Sequence, residues 1–229
     1  LAFINSAYLA AISKIPVAAA IFIQYLAPVV IALFAWRFMG ERMTRLKLAA
    51  LGLAIGGCFL VAGAYDLELL SLNRTGLLWA LVTIFGFSGY CLLSEYGLRT
   101  YGPWTVLGYA LLFAGAFWSA ALGPEQLLHL GHDALSWLLV AYSVTLGTVI
   151  PFGLFFYGIQ HLRATRATII STFEPIAAGL IALAFLGETL EVLQVAGGLA
   201  VVGAVVIIQK EREQDQLAPV HVRDRQTSG

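Results

Sequence analysis

The feature of this sequence that most limits its fold is a segment that occurs twice. Pro28 to Glu41 reads PVVIALFAWRFMGE, and 147 residues later Pro175 to Glu188 reads PIAAGLIALAFLGE. The two copies share a proline and a Gly-Glu pair in one register, without a gap over the 54 positions that begin at Tyr8. Apolar segments often share scattered Ala and Leu, but they rarely share these residues in register. The repeat therefore indicates the duplication of one structural unit.

Composition indicates that this unit is built for a lipid bilayer. Sixty per cent of the residues are apolar and 11% are charged, with a mean hydropathy of +0.86. A soluble domain carries about a quarter charged residues, which cover its surface. Here the apolar residues occur in runs of about twenty, the length that crosses ~30 Å of hydrocarbon. The net charge is zero and no basic stripe is present, so nothing indicates binding to nucleic acid.

The apolar runs predict an all-α integral membrane protein. We expect a partial helix at 1–13 and spans near 16–38, 46–64, 76–97, 104–122, 136–160, 167–186 and 191–209. Lys and Arg concentrate in alternate loops, and the poorer side holds only Lys14 and Arg74. The richer side holds Arg42, Arg45, Lys47, Arg99, Arg163, Arg166 and the cations of the tail. This bias predicts a multi-pass protein of the cell (plasma) membrane with its C-terminus in the cytoplasm.

The two copies are predicted to face opposite ways across the membrane. The Gly40-Glu41 corner falls on the cytoplasmic side, whereas its copy, Gly187-Glu188, falls outside. Opposite orientations require an odd number of helices in each unit, and the second copy has five predicted spans. We therefore expect inverted five-helix repeats of a ten-helix fold of about 300 residues, here N-terminally truncated to about seven and a half helices. The predicted units are the remainder of the first repeat at 1–64, the second repeat at 76–209 and a disordered tail at 210–229.

These motifs resemble a known family of membrane proteins. Each copy closes on a proline followed twelve residues later by Gly-Glu, in YLAPVVIALFAWRFMGERMT and STFEPIAAGLIALAFLGETL. Each is then followed by a Gly-rich helix, LAALGLAIGGCFLVAG or VLQVAGGLAVVGAVVII. The arrangement is similar to that of the drug/metabolite transporter superfamily, in particular its EamA-type members. The resemblance implies a transporter whose third, fourth, eighth and ninth helices, with the first and sixth, surround a central substrate cavity.

Glu174 is the strongest candidate for a functional residue. It lies about eight residues into its predicted span, roughly 12 Å from the start of the helix. An ionised carboxylate at that depth is costly, so it must face a wet cavity, pair with another group or be protonated. One interpretation is a cavity acid that binds a cationic or amino-group substrate, or a proton. The other is a structural acid hydrogen-bonded at a helix kink. The repeat counterpart of Glu174 is Ala27, which favours the functional interpretation.

Other candidates lie beside the repeated proline and at the repeated corner. Pro28 and Pro175 remove a backbone hydrogen bond, and they predict either plain kinks or irregular backbone that lines a cavity. Gly40 and Gly187 are expected to end helices, with Glu41 and Glu188 at the positive start of the next; the alternative is a gating salt bridge. Glu95 is expected to pair with Arg99 four residues later. The predicted substrate-binding residues are Glu174, Gln24, Tyr25, Ser171, Thr172, Phe173, Tyr90 and Tyr157.

Together these features predict a secondary transporter that exports small metabolites, such as amino acids, or drug-like compounds by alternating access. No Walker A sequence is present, so ATP is not expected to be the direct energy source. The expected partners are the lipid bilayer and a small-molecule substrate, and the sequence is compatible with proton coupling and with a homodimer.

Three alternative functions make different demands on the sequence. A non-transporting membrane scaffold would be a solid bundle with Glu174 sealed by protein partners. A phosphorylated-sugar or nucleotide-sugar carrier of the same superfamily would need cations at mid-membrane, and none is predicted there. An enzyme is not expected, because all four Asp and all four His lie outside the predicted spans. No cofactor or metal site is predicted.

Overall fold

The computed structural model describes residues 2–63, 73–122, 134–186 and 191–217. Within these ranges every regular element is helical and none is a strand. The elements are α1 Ala2–Ile12, α2 Val17–Gln24, α3 Ala27–Phe38, α4 Arg45–Val61, α5 Arg74–Leu98, α6 Pro103–Leu122, α7 Ala134–Val144, a π-helical turn Thr145–Val149, α8 Ile150–Ser171, α9 Glu174–Ile181, a second π-helical turn Ala182–Leu186, and α10 Val192–Leu217.

Several of these helices are long and apolar enough to cross a membrane. Five such segments occur among the described residues. They are Ala19–Phe38, Arg74–Leu98, Pro103–Ala121, Ala134–Ser171 and Val192–Glu211. The prediction of an all-α membrane protein is therefore confirmed.

One pair of predicted spans is joined by a shorter connection than expected. The helix from Ile150 continues to Ser171, although spans were expected at 136–160 and 167–186. It is interrupted at Arg163, whose φ of 69° and ψ of 162° are not helical. The chain therefore turns at a single residue where a longer connection was expected.

Each repeated segment contains a broken helix, and the two breaks are in register. Tyr25 and Leu26 separate α2 from α3, and 147 residues later Thr172 and Phe173 separate α8 from α9. Pro28 and Pro175 are each the second residue of the following helix. A proline costs nothing there, because the amide it lacks would have no intrahelical partner. The prolines therefore begin the second half-helices, and the breaks lie about one turn earlier.

The last helices of the two copies, α4 and α10, pack against each other in antiparallel orientation. Thr44, which precedes α4, is 3.2 Å from a carboxylate oxygen of Glu211 near the end of α10. At the other end, Gly57 meets Gly197: a Cβ added to either glycine would lie 2.7 Å from the carbonyl oxygen of the other. Only two glycines allow backbones to approach this closely. The antiparallel pair forms the central contact between the copies.

Apolar side chains fill the space beside this pair. One buried cluster lies where α3, α4, α8 and α10 meet, and we call it the apolar plug. It consists of Ala32, Ala50, Leu51, Ala54, Ile169, Ala204 and Ile208. Along α4, α8 and α10 these residues lie one to two turns from the charged residues described below.

Candidate functional site

A large cavity lies at one end of the α4–α10 pair. Its volume is about 960 Å³, within the range of small-molecule sites. It is bounded by α2, the end of α4, α9 and the start of α10. The lining residues are Val17, Ile21, Tyr25, Val61, Ala62, Phe173, Glu174, Pro175, Ile176, Ala178, Gly179, Leu180, Leu183, Gln194, Val195, Gly198, Leu199 and Val202. Apart from Glu174, these walls carry few polar groups and no Lys or Arg.

Glu174 lies in this cavity as the first residue of α9. The break at Thr172 and Phe173 creates a helix start at this depth, and the positive end of the helix dipole favours a carboxylate there. Its carboxylate has no hydrogen bond or ion pair with any described residue, and the residue is exposed to the cavity. Tyr25 and Tyr8 lie within electrostatic range of it. The arrangement can receive a positive charge or a proton.

Four of the predicted residues come together at this cavity: Tyr25, Phe173, Glu174 and Pro175. Two hydroxyl neighbours do not line it. Ser171 donates its hydroxyl to the carbonyl of Thr168 at 2.8 Å, and buried Thr172 donates to the carbonyl of Ile169 at 2.6 Å. Their hydroxyls are therefore used within their own helix.

The remaining candidates lie elsewhere. Gln24 is half-buried outside the lining, and Pro28 is buried in α3. The Tyr90 ring packs against Phe152 and Phe156, and its buried hydroxyl has no hydrogen-bond partner among the described residues. Tyr157 is 57% exposed and stacks on the ring of His161, with 4.2 Å between the ring centroids.

Sequence reasoning missed two polar residues of the site. Tyr8 lies on α1, and Gln194 lies on the first turn of α10. Gln194 is the one polar residue between Val192 and Ile208 of α10, and that isolation is a signal that could have identified it. Tyr8 follows Asn5 and Ser6 on α1 and has no such signal. The aliphatic lining residues carry no such signal, since they resemble every lipid-facing residue. Within the described residues, no group of three or more His, Cys, Asp or Glu could hold a metal ion.

A buried cluster of charges, which we call the ion cluster, lies at the opposite end of α4 and α10. Lys47 Nζ is 2.9 Å from Glu41 Oε1, an ion pair without hydrogen-bond geometry, and 3.6 Å from Glu211 Oε1. Arg166 approaches the other oxygen of Glu211 with Nη2 at 2.6 Å and Nε at 2.8 Å. The two acids and two bases neutralise one another in a space that solvent barely reaches.

Hydroxyl and carbonyl groups complete the ion cluster. Thr165 donates to Glu41 Oε2 at 2.8 Å, and Thr44 donates to Glu211 Oε1 at 3.2 Å. Lys47 also donates to the backbone carbonyl of Arg42 at 3.0 Å. Such additional bonds are what a buried ion pair needs to offset its loss of hydration. The cluster therefore joins the corner after α3 to α4, α8 and α10.

The ion cluster bears on two expectations. Glu41 is predicted to lie at a helix start, with a gating salt bridge as the alternative; its carboxylate pairs with Lys47, and a role in gating stays a prediction. Glu211 lies within the predicted disordered tail, but α10 continues to Leu217 and Glu211 contacts Lys47 and Arg166. Gly40 ends α3 with a φ of 65°, a conformation that favours glycine. The copies Gly187 and Glu188 lie outside the described residues.

Glu95 also forms a contact that its sequence neighbours do not reveal. Its Oε1 is 3.7 Å from Arg99, as expected, but its Oε2 accepts a hydrogen bond from the backbone amide of Ala164 at 2.8 Å. Ala164 follows the turn at Arg163, so the buried carboxylate caps the helix that restarts there. This contact ties α5 to the corner within α8.

Comparison with known proteins identifies the family. Residues 1–63 and 74–209 match the EamA-like transporter family. The chain belongs to this family. It is a transporter-type membrane protein and not an enzyme, and the resemblance to EamA-type transporters is confirmed.

Relatives of this EamA-like chain carry transporter names. An uncharacterized transporter of Archaeoglobus fulgidus is 32% identical over 206 residues, which are 90% of this chain and 72% of that protein. The uncharacterized inner membrane transporter YicL of Salmonella typhimurium is 29% identical over 207 residues, 88% of this chain and 67% of YicL. A crystal structure of another protein, 21% identical, superposes with a TM-score of 0.72 over 90% of this chain and 73% of that one. It supports the fold alone.

Proposed function

We propose that this EamA-like protein is a secondary transporter that exports small amino-group compounds, either metabolites or drug-like molecules, from the cytoplasm. The substrate occupies the cavity, and its positive charge faces Glu174. The observation that carries this proposal is a carboxylate with no partner among the described residues, in an apolar-walled cavity of about 960 Å³. Such walls suit the carbon skeleton of a small molecule, and a single acid suits one cationic group.

Alternating access would follow from an inverted repeat. The antiparallel packing of α4 and α10, and helix breaks 147 residues apart, support two copies that face opposite ways. The excess of Lys and Arg at the ion-cluster end supports a cytoplasmic C-terminus. On this proposal the cavity opens to the outside, and rocking of the copies exposes it to either side.

The alternatives lack a supporting observation. A scaffold would enclose Glu174 with protein partners, but no described residue pairs with it. A carrier of phosphorylated sugars would place Lys or Arg in the cavity, and none is among the described lining residues. Proton coupling through Glu174 is part of the proposal, since a carboxylate that accepts either a proton or a cation exchanges one for the other.

The test is transport by the full-length protein in liposomes, with amino acids and cationic drugs screened across a pH gradient. We expect Glu174→Gln to reduce efflux of the transported amine by about tenfold or more, because the substrate loses its counter-charge. Tyr25→Phe, which alters the cavity wall, should reduce efflux partially. Tyr157→Phe is the matched control outside the cavity and should leave efflux unchanged.

Two results would count against the proposal. Normal efflux by Glu174→Gln with an unaltered pH profile would remove this acid from the mechanism. If the unsubstituted protein moved no amine under any gradient while remaining folded, the transport function itself would be wrong.

A further inference from the structure

The two ends of the α4–α10 pair differ in a way that the duplication does not require. One end holds the ion cluster, and the other borders the cavity. Shifting each ion-cluster residue by the 147-residue repeat shows what the second end has instead. Lys47 corresponds to Gln194, Arg166 to Ala19, Thr165 to Ala18 and Glu211 to Ala64. Of the charged members, only Glu41 has a charged counterpart, Glu188.

The ion cluster also connects the two copies. Glu41, Thr44 and Lys47 come from the first copy, whereas Thr165 and Arg166 come from the second copy and Glu211 from the continuation of its last helix. From Lys47 to the cavity residue Ala62, helix α4 rises by about 22 Å at 1.5 Å per residue. The apolar plug fills the length between them. The cavity is therefore closed toward the ion-cluster end first by the plug and then by the ions.

We propose that the ion cluster is a lock that closes the cavity at its own end and biases the protein toward the state in which the cavity opens at the other end. This inference rests on the proposed alternating access. In an inverted repeat, the second state forms when the copies exchange conformations, so that the cavity end closes. The same ion pairs would not form there, because the counterparts include the acids Glu188 and Glu191 but no Lys or Arg.

The lock has a physical basis in the burial of its charges. To open the charged end, Glu211 on α10 must separate from Lys47 on α4, Thr165 on α8 must separate from Glu41, and the charged groups must be rehydrated. Separating a buried, hydrogen-bonded pair is unfavourable, since each ion loses its partner before water fully replaces it. At the opposite end the counterparts of Arg166 and Glu211 are both alanine, so this ion pair has no equivalent there. This difference in sequence between the two ends therefore makes one of the two states more populated than the other.

The test measures the accessibility of single cysteines and needs no substrate. The buried native thiols are first removed by Cys58→Ala and Cys91→Ala. Ala32→Cys then reports on the apolar plug, and Ala178→Cys reports on the exposed cavity wall. A membrane-impermeant maleimide is applied to either side of sealed vesicles.

The decisive variant is Arg166→Ala with Glu211→Ala. It removes one acid and one base, leaves the Lys47–Glu41 pair intact and gives both positions their repeat counterpart. We expect the A32C thiol to react about tenfold faster from the ion-cluster side, and the A178C thiol to react correspondingly more slowly from the other side. Thr165→Val keeps all four charges, removes only the bond to Glu41, and should shift both rates in the same directions by roughly threefold.

Arg45→Ala is the matched control. Arg45 is an exposed cation on α4 and has no ion pair with a described residue, so both rates should stay unchanged. Folding of each variant is checked by its elution profile and thermal unfolding. Unchanged rates in folded variants would overturn the lock. A faster reaction at A32C without a slower reaction at A178C would also overturn it. In that case the ion cluster would have loosened one end without closing the other. If the protein transported no substrate, the proposed function would be wrong, but the labelling rates would still report which end of the cavity is open.

Discussion

The close contact between α4 and α10 gives a quantitative prediction. A Cβ at Gly57 would lie 2.7 Å from the carbonyl oxygen of Gly197 and 2.6 Å from a methyl group of Val201. Ordinary contacts begin near 3.5 Å, so Gly57→Ala requires the helices to separate by roughly 0.7–1 Å. Such overpacking costs about 1–3 kcal/mol. The neighbouring Gly56 has nothing within 4 Å, so Gly56→Ala should instead stabilise the helix by about 0.5–1 kcal/mol.

The two alanine variants should therefore differ by about 2–4 kcal/mol, although they alter adjacent residues in the same way. Circular dichroism of the purified proteins in detergent, recorded during heating, measures the difference as Tm. At about 2–4 °C per kcal/mol, G57A should unfold roughly 5–15 °C below G56A. Gly197→Ala should behave like G57A because the contact is reciprocal. Equal Tm values for G56A and G57A would refute the close approach.

Two further predictions concern the corner within α8. Arg163→Gly should raise the free energy of unfolding by about 1 kcal/mol, because a φ of 69° and a ψ of 162° suit glycine and strain other residues; a lower Tm would contradict this. Glu95→Ala should lower the free energy of unfolding by about 2–4 kcal/mol, since the buried amide of Ala164 loses its acceptor. Glu95→Gln retains an acceptor and should lower the free energy of unfolding less in the same melting experiment.

Much of the fold could be predicted because the lengths of the apolar runs and the repeated segment can both be read directly from the sequence. The spans follow from runs of apolar residues, and the repeat register correctly relates the breaks at Tyr25 and Thr172. The prolines predict kinks or irregular backbone, and the breaks lie two to three residues before them. In sequence, a proline in the first turn of a helix looks the same as a proline at a kink inside a helix. Only the backbone of the folded chain decides between the two.

The candidate site could be predicted only where the residue type itself was unusual. Glu174 stands out in an apolar span, and its neighbours Phe173 and Pro175 line the same cavity. Thr172 does not, because a hydroxyl that bonds to its own helix looks the same in sequence as one that faces a substrate. The direction in which Tyr157 faces depends on which helices surround it, and a single sequence does not specify this.

The ion cluster shows a second reason why contacts could not be predicted from the sequence. Glu211 lies 45 residues from Arg166 along the chain and 164 from Lys47. In sequence it belongs to a polar stretch that has every property of a solvated tail. Pairing across such separations depends on the antiparallel packing of α4 and α10, which composition does not encode.

The interruption at Thr172 and Phe173 has a mechanical consequence. The segment that carries Arg166 and the segment that carries Glu174 are two short rods joined by a two-residue joint. A continuous helix would force both segments to tilt together, so any movement of the cavity wall at Glu174 would displace Arg166 in the ion cluster by the same tilt. With the joint, the two segments can tilt by different amounts. The matching joint at Tyr25 and Leu26 gives the first copy the same freedom, and α4 and α10 can stay in contact at Gly57 and Gly197 while the segments move.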